Sequence, residues 1–169
     1  VTVPLGVTVT FGPGVITKWA SARQFLFHGS LVTQGTSGEP VLFTPFTDDA
    51  FGGDTNNDGM ATSPAPGYWR GLYFYGDSVG NDLDWATVRH SGQAGGPGIA
   101  LVGLCEAEMT SCVVEFGSFD ALDLSGTVKP HLVVEDCVLI NNGGLAIDGM
   151  PIDMIESFTG NTANGNGLG

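Results

Sequence analysis

Asp54-Thr55-Asn56-Asn57-Asp58-Gly59 is the stretch whose residue types and spacing point most directly to chemistry. Alternate oxygen-bearing side chains at Asp54, Asn56 and Asp58 can converge on one hard cation, and Gly59 permits the sharp turn such a loop needs, as in the opening half of an EF-hand loop. The twelfth position of that pattern holds Ala65 instead of a bidentate acid, and no helical pattern flanks the loop. Asp48 and Asp49, six and five residues upstream of Asp54, supply the missing carboxylates if the Gly52-Gly53 turn folds back. The spacing therefore predicts a calcium site built from Asp48, Asp49, Asp54, Asn56 and Asp58. The alternative reading of the same residues is a solvated polar loop.

A second group worth weighing is Arg89 and His90 with the carboxylates of Asp82 and Asp84. A base beside paired acids is one arrangement for proton abstraction. Arg89 follows Val88 as Glu115 follows Val114, so the simpler expectation is an ion pair between neighbouring strands about 4.8 Å apart. No Ser-His-Asp constellation with a recognisable nucleophile motif, glycine-rich phosphate loop or CxxC pair occurs, so no catalytic residue is assigned. His28 and His131 lie at strand edges without metal-ligand spacing. Trp19, Trp69 and Trp85 fit core or edge packing, with a sugar-binding face as the alternative.

The elements that must position these groups repeat. Residues 131–149, HLVVEDCVLINNGGLAIDG, alternate Leu132 with Val134, continue through Cys137 and Leu139, turn at Asn141-Asn142-Gly143-Gly144, and close with Leu145, Ile147 and Gly149. Twenty-five residues earlier, Cys112 stands at the place of Cys137 and Val114 at that of Leu139, followed by a Gly117-Ser118 turn, Leu122, Leu124 and Gly126. A further twenty-six back come Ala86, Val88, the Ser91-Gly92 turn, Ile99, Leu101 and Gly103; twenty forward of Cys137 come Ser157 and a turn at Asn161. Such a period marks a solenoid, whose units bury their apolar sides only by stacking. The short runs have period 2 and no helical stripe, so the stacked elements are strands. The expected fold is an all-β parallel β-helix, one domain over residues 1–169, interrupted by a Gly-, Pro- and Asp-rich loop insertion at 47–68.

Residues 1–3, 7–11 and 15–19 read as the strands of a first coil, and 25–28, 31–33 and 41–44 as those of a second. Cys112 and Cys137, in one column, are expected to stack inward as thiols, with a redox or cross-linking role as the alternative. Cys105 is the odd cysteine, and a Cys105–Cys112 bridge stays open.

Eighteen acidic residues against five basic give a net charge of −13. Residues 1–47 carry +1 of this and the remainder −14, so the acidity belongs to the loop and the later coils. That balance argues against nucleic acid or an anionic membrane as partner and favours cations; it also suits a salt-rich habitat or solubility alone. No apolar run of about 18 residues is present to span a membrane.

The series PxGVTxTxxPGxxxK, then GxLxxQGT, then PVxFT across the first third of the chain, with the repeats that follow, resembles the right-handed parallel β-helix repeat proteins of the pectate-lyase-like superfamily, specifically bacterial secreted and surface-attached members. At Arg70 that family more often shows Gly. The resemblance implies an extracellular or cell-surface location, and similar Asp-rich loops in such proteins support calcium. It also implies two functions to weigh. One is a structural or adhesive module. The other is a carbohydrate-active domain, a polysaccharide lyase or glycoside hydrolase, in which calcium-bound acids and a base such as Arg89 would act on acidic carbohydrate.

Strand-like sequence runs to both ends, and Leu168 reads as the first inward residue of a further coil. Bare strand edges recruit more strands, so the expected partner of the terminal coils is further chain or another copy stacked head to tail into a filament.

Overall fold

Period-2 alternation punctuated by tight turns gives short strands, and a repeat of 22 to 27 residues, lengthened to 45 to 50 between the second and third coils, brings each back beside its equivalent. The computed structural model describes residues 1–124, 131–149 and 155–167, with backbone alone at 155 and 156. It is a parallel β-solenoid of about six turns with almost no helix. The first coil holds β1 (Thr2–Val3), β2 (Thr8–Phe11) and β3 (Ile16–Trp19), and the second β4 (Gln24–Phe27), β5 (Ser30–Gln34) and β6 (Val41–Pro45). The third holds β7 (Gly71–Tyr75), β8 (Asn81–Asp84) and β9 (Ala86–Arg89), and the fourth β10 (Ile99–Val102), β11 (Ala107–Thr110) and β12 (Val113–Glu115). The fifth holds β13 (Leu122–Asp123), β14 (Leu132–Glu135) and β15 (Val138–Ile140), and the sixth β16 (Ile147–Asp148), β17 (Ile155–Thr159) and β18 (Thr162–Asn164). Every third strand pairs in parallel, giving three six-stranded sheets: sheet A from β1 to β16, sheet B from β2 to β17 and sheet C from β3 to β18.

Register decides what is buried. On sheet C, Phe43, Val88, Val114 and Leu139 follow one another inward, while Arg89 pairs with Glu115 on the outer face. The first three coils fill the core with rings: Phe27 stacks on Phe74 at 4.8 Å and Trp19 on Trp69 at 5.4 Å. Later coils use Leu, Val, Met and Cys. Each fully buried large side chain contributes about 1.5–3 kcal/mol, so the stack is held by many similar increments. Of the three tryptophans, Trp19 and Trp69 are core, and Trp85 stands partly exposed at a corner.

In coils three to six two corners use left-handed backbone. Between sheets B and C the residues are Trp85, Ser111, Asp136 and Gly160; at the far end of sheet C they are His90, Phe116, Asn141 and Gly165. Such a conformation costs a residue with a side chain about 1–2 kcal/mol, and Trp85, His90 and Phe116 carry that strain with bulky groups. Immediately after several of these bends a side-chain thiol or amide ties one coil to the next. At the first corner the Cys112 N–H donates to Cys137 Sγ at 3.4 Å, and the Cys137 N–H to Asn161 Oδ1 at 2.8 Å. At the second, the Gly117 N–H donates to Asn142 Oδ1 at 2.9 Å and the Asn142 N–H to Asn166 Oδ1 at 3.0 Å.

This ladder corrects the expected alignment of the last coil. Asn161, not Ser157, occupies the column of Cys137, and Ser157 pairs with Val133 after a register shift between Leu132 and Val133. Cys112 and Cys137 stack inward as expected; Cys105 is a separate buried thiol, so no Cys105–Cys112 bridge forms. Gly126 and Leu168 lie outside the described residues.

Candidate metal centre

No strand or helix forms between β6 and β7, and the chain from residue 46 crosses the outer face of sheet C before Trp69 re-enters the core. Several anchors seat it. The Asp48 carboxylate accepts the Thr44 hydroxyl and meets Arg89 Nη1 at 3.2 Å, while Arg89 Nε lies 2.7 Å from Glu115 Oε1. The guanidinium also sits over the Phe51 ring, 4.7 Å from its centroid, and 5.6 Å from that of Phe116. Lys18 Nζ donates to Gly53 O, and at the other end the Gly67 and Tyr68 N–H groups donate to Ser91 O and His90 O at 2.9 and 3.0 Å. Arg89 is thus bound on one side to the solenoid and on the other to the crossing segment.

Within this frame the sequence folds the predicted turn. Asp54 accepts the Asp58 N–H at 3.2 Å and the Gly59 N–H at 2.8 Å, with Asn57 and Gly59 both left-handed. The turn swings Asp58 back, and one carboxylate oxygen from each of Asp49, Asp54 and Asp58 lies within 4.8 Å of the others. The Asn56 amide donates to Asp58 Oδ2 at 2.8 Å and to Thr62 Oγ1 at 2.9 Å. That leaves Asn56 Oδ1, Asp58 Oδ1 and Asp49 Oδ1 buried without a hydrogen-bond partner. Buried oxygens of this kind are normally satisfied, and acceptor-only atoms of two acids facing a third are satisfied best by a cation.

Of the residues singled out from the sequence, Asp49, Asp54, Asn56 and Asp58 are brought together. Asp48 is not among the carboxylates that converge. The chain turns here, the Asp48 N–H donating to Pro45 O and the Phe51 N–H to Asp48 O, and Asp48, only 1% exposed, faces sheet C and Arg89 while Asp49 joins the loop carboxylates. Thr47, 6% exposed, was missed: its Oγ1 is buried without a partner, and it lines a cavity of about 210 Å³ with Asp49 and Thr62. Phe51 was missed as well. No local signal marks either residue; only the fold places them.

The Arg89–His90–Asp82–Asp84 grouping separates across the Trp85 corner. Asp82 and Asp84 face outward from sheet B, where burial and then Asp84 and Glu108 push the Asp82 carboxyl up. Arg89 faces outward from sheet C. His90 is 7% exposed, stacks on Phe116 at 5.5 Å, and shows no hydrogen-bond partner at either ring nitrogen. Burial, then the Arg89 charge, pulls its imidazole down to about 4, against an opposing pull from Asp48. A neutral, enclosed ring and a doubly paired arginine bind structure together and leave no base facing an open cleft.

No family model, curated protein or solved structure matches this chain.

Proposed function

We propose that the chain is a non-catalytic, extracellular structural or adhesive module, a right-handed β-helix of the pectate-lyase-like type from a bacterial surface or secreted protein, in which calcium rigidifies residues 46–70. The observation that carries the calcium reading is the set of partnerless buried oxygens on Asp49, Asn56 and Asp58 beside Asp54. Oxygen-only donors of this kind select hard divalent ions, and a cage drawn from a flexible loop suits calcium better than the strict octahedron of magnesium. Asp49, Asp54, Asn56 and Asp58 would hold the ion, with the Thr47 hydroxyl at the rim. Its contribution is electrostatic: it offsets the repulsion of three close carboxylates and fixes the turn.

The structural reading draws support from the outer faces. Among the described residues, the bends between sheets B and C in the later coils are short, and Arg89 is held in ion pairs on a different sheet from Asp82 and Asp84. The end strands β1–β3 and β16–β18 each have a strand neighbour on one side only in the sheet order. Further chain, or another copy in a head-to-tail filament, would cover them. Exposed Val1, Leu5 and Val7 in the first coil would be buried by such a neighbour. Two measurements test this function. Calcium should raise the melting temperature and EDTA lower it, and incubation with acidic polysaccharides should release no unsaturated product. A calcium-insensitive melt removes the metal; an ultraviolet-absorbing product abolished by Arg89→Ala replaces the structural reading with a lyase.

A further inference from the structure

Cation ligands and docking anchors are interleaved in one short stretch. Asp48, Phe51 and Gly53 hold the crossing segment to sheet C through Arg89 and Lys18, while Asp49 and Asp54 turn the other way to meet Asp58. The two sets are separated by single residues, so neither can be fixed without restricting the backbone of the other. Thr47 is a further unpartnered polar group beside the Asp49 end of the cluster: its residue is more than nine-tenths buried, and it lines a cavity with Asp49, Thr62 and Met60.

We infer that Arg89 is the latch through which cation binding at Asp49, Asp54 and Asp58 is coupled to the docking of residues 46–67, so that the ion controls whether this face of sheet C is covered. The inference rests on the calcium reading above and adds its regulation. Arg89 is suited to the role because it has two partners. Glu115, at 2.7 Å, belongs to the solenoid and stays when the segment leaves, so undocking exposes a paired arginine instead of stranding a buried charge. Asp48 and the Phe51 ring belong to the segment and are lost together. The segment therefore has a closed and an open arrangement, and an ion held by Asp49 and Asp54 favours the closed one. Coupling of this kind is reciprocal: whatever loosens the latch must weaken the ion by the same factor. What undocking uncovers is also defined. Leu42 is only 4% exposed although it faces outward on β6, and Gly52 and Phe51 lie over or beside Ile16 and Leu42.

The test is calcium titration calorimetry on the whole chain, on Arg89→Gln and Asp48→Asn, and on Val134→Ala as a control that destabilises a coil remote from the segment. The latch variants should bind calcium about tenfold more weakly, within the usual range of coupling factors, and Val134→Ala should bind as the parent does. Hydrogen exchange on the unaltered protein reads the same linkage without a substitution: calcium should slow exchange at the Gly67 and Tyr68 amides, which close the segment onto Ser91 and His90. Equal affinity in parent and latch variants, or calcium-independent exchange at those amides while calcium binds, overturns the coupling and leaves the metal site standing. A parent protein that takes up no calcium overturns both.

Discussion

The side chain of Asn161 does for Cys137 what Cys137 does for Cys112. Asn161 Oδ1 accepts the Cys137 N–H, its Nδ2 donates to Val134 O at 2.8 Å, and Cys137 Sγ in turn accepts the Cys112 N–H and contacts Met109 O at 3.5 Å. A thiol and an amide are thus interchangeable at this corner, because the bend leaves an inward N–H and an inward carbonyl of the preceding coil to satisfy.

Cys137→Asn should therefore fold normally and melt within a few degrees of the parent. Cys137→Ala leaves the buried Cys112 N–H without its acceptor, a loss of about 1–3 kcal/mol. In a chain of this size that lowers the melting temperature by roughly 3–10 °C. Thermal melts of the two variants decide it; equal melting temperatures would show that the sulfur contributes packing alone.

The same corner shows how far the sequence is legible. Matching Cys112 to Cys137 and Val114 to Leu139 reveals the period and the inward faces, since both follow from apolar alternation. The last coil is misaligned by that rule because its corner residue is polar. An amide turned inward for its hydrogen bonds looks, in sequence, like an ordinary turn asparagine. The acidic loop divides in the same way. Asp54, Asn56 and Asp58 are legible from spacing, but which of Asp48 and Asp49 joins them depends on the facing of an irregular segment, and the contact of Phe51 with Arg89 spans two elements that only the solenoid brings together.

His90 makes stability pH-dependent in a defined window. Its folded value lies near 4 against an ordinary 6.5, so above about pH 6.5 the ring is neutral in both states and nothing is lost. As the pH falls from about 6.5 toward about 4, the unfolded chain gains a proton that the folded chain refuses, and stability declines by on the order of 3 kcal/mol in total. Arg89 and Asp48 are the charged groups acting on it. His90→Asn keeps a residue tolerant of the left-handed corner and removes the titration. Between pH 7.5 and 5 the parent should lose about 4–8 °C more in melting temperature than this variant; parallel declines would refute the assignment.

Close approach of successive coils predicts a glycine that cannot be replaced. A Cβ at Gly29 would overlap the backbone carbonyl oxygens of Val7 and Pro4 in the coil before it, whereas one at Gly12 meets nothing within 4 Å. Backbone atoms cannot rotate away, so Gly29→Ala must push the first coil off the second at a cost of about 2–3 kcal/mol. Gly12→Ala should be nearly neutral. Denaturant unfolding of the two variants gives the comparison, and a neutral Gly29→Ala would mean that the first coil is already loose.

Calcium and repulsion make opposite demands on Asp54, and that gives the metal reading its sharpest test. Without an ion, the carboxylates of Asp49, Asp54 and Asp58 lie within 4.8 Å of one another, and like charges at that separation oppose the folded loop. Asp54→Asn removes one of them and keeps one of its two acceptors, since the Asp58 and Gly59 amides bond different Asp54 oxygens; both bonds are exposed, so the relieved repulsion outweighs the one that is lost. In EDTA the variant should therefore melt at or above the parent. With calcium at a hundredfold excess over its dissociation constant, the parent gains about 2.7 kcal/mol, roughly 5–10 °C, and the variant gains little. The order of the two melting curves should invert as calcium is added. A solvated acidic loop with no ion gives no inversion: the variant would then stay at or above the parent at every calcium concentration, and the partnerless oxygens of Asp49, Asn56 and Asp58 would belong to water.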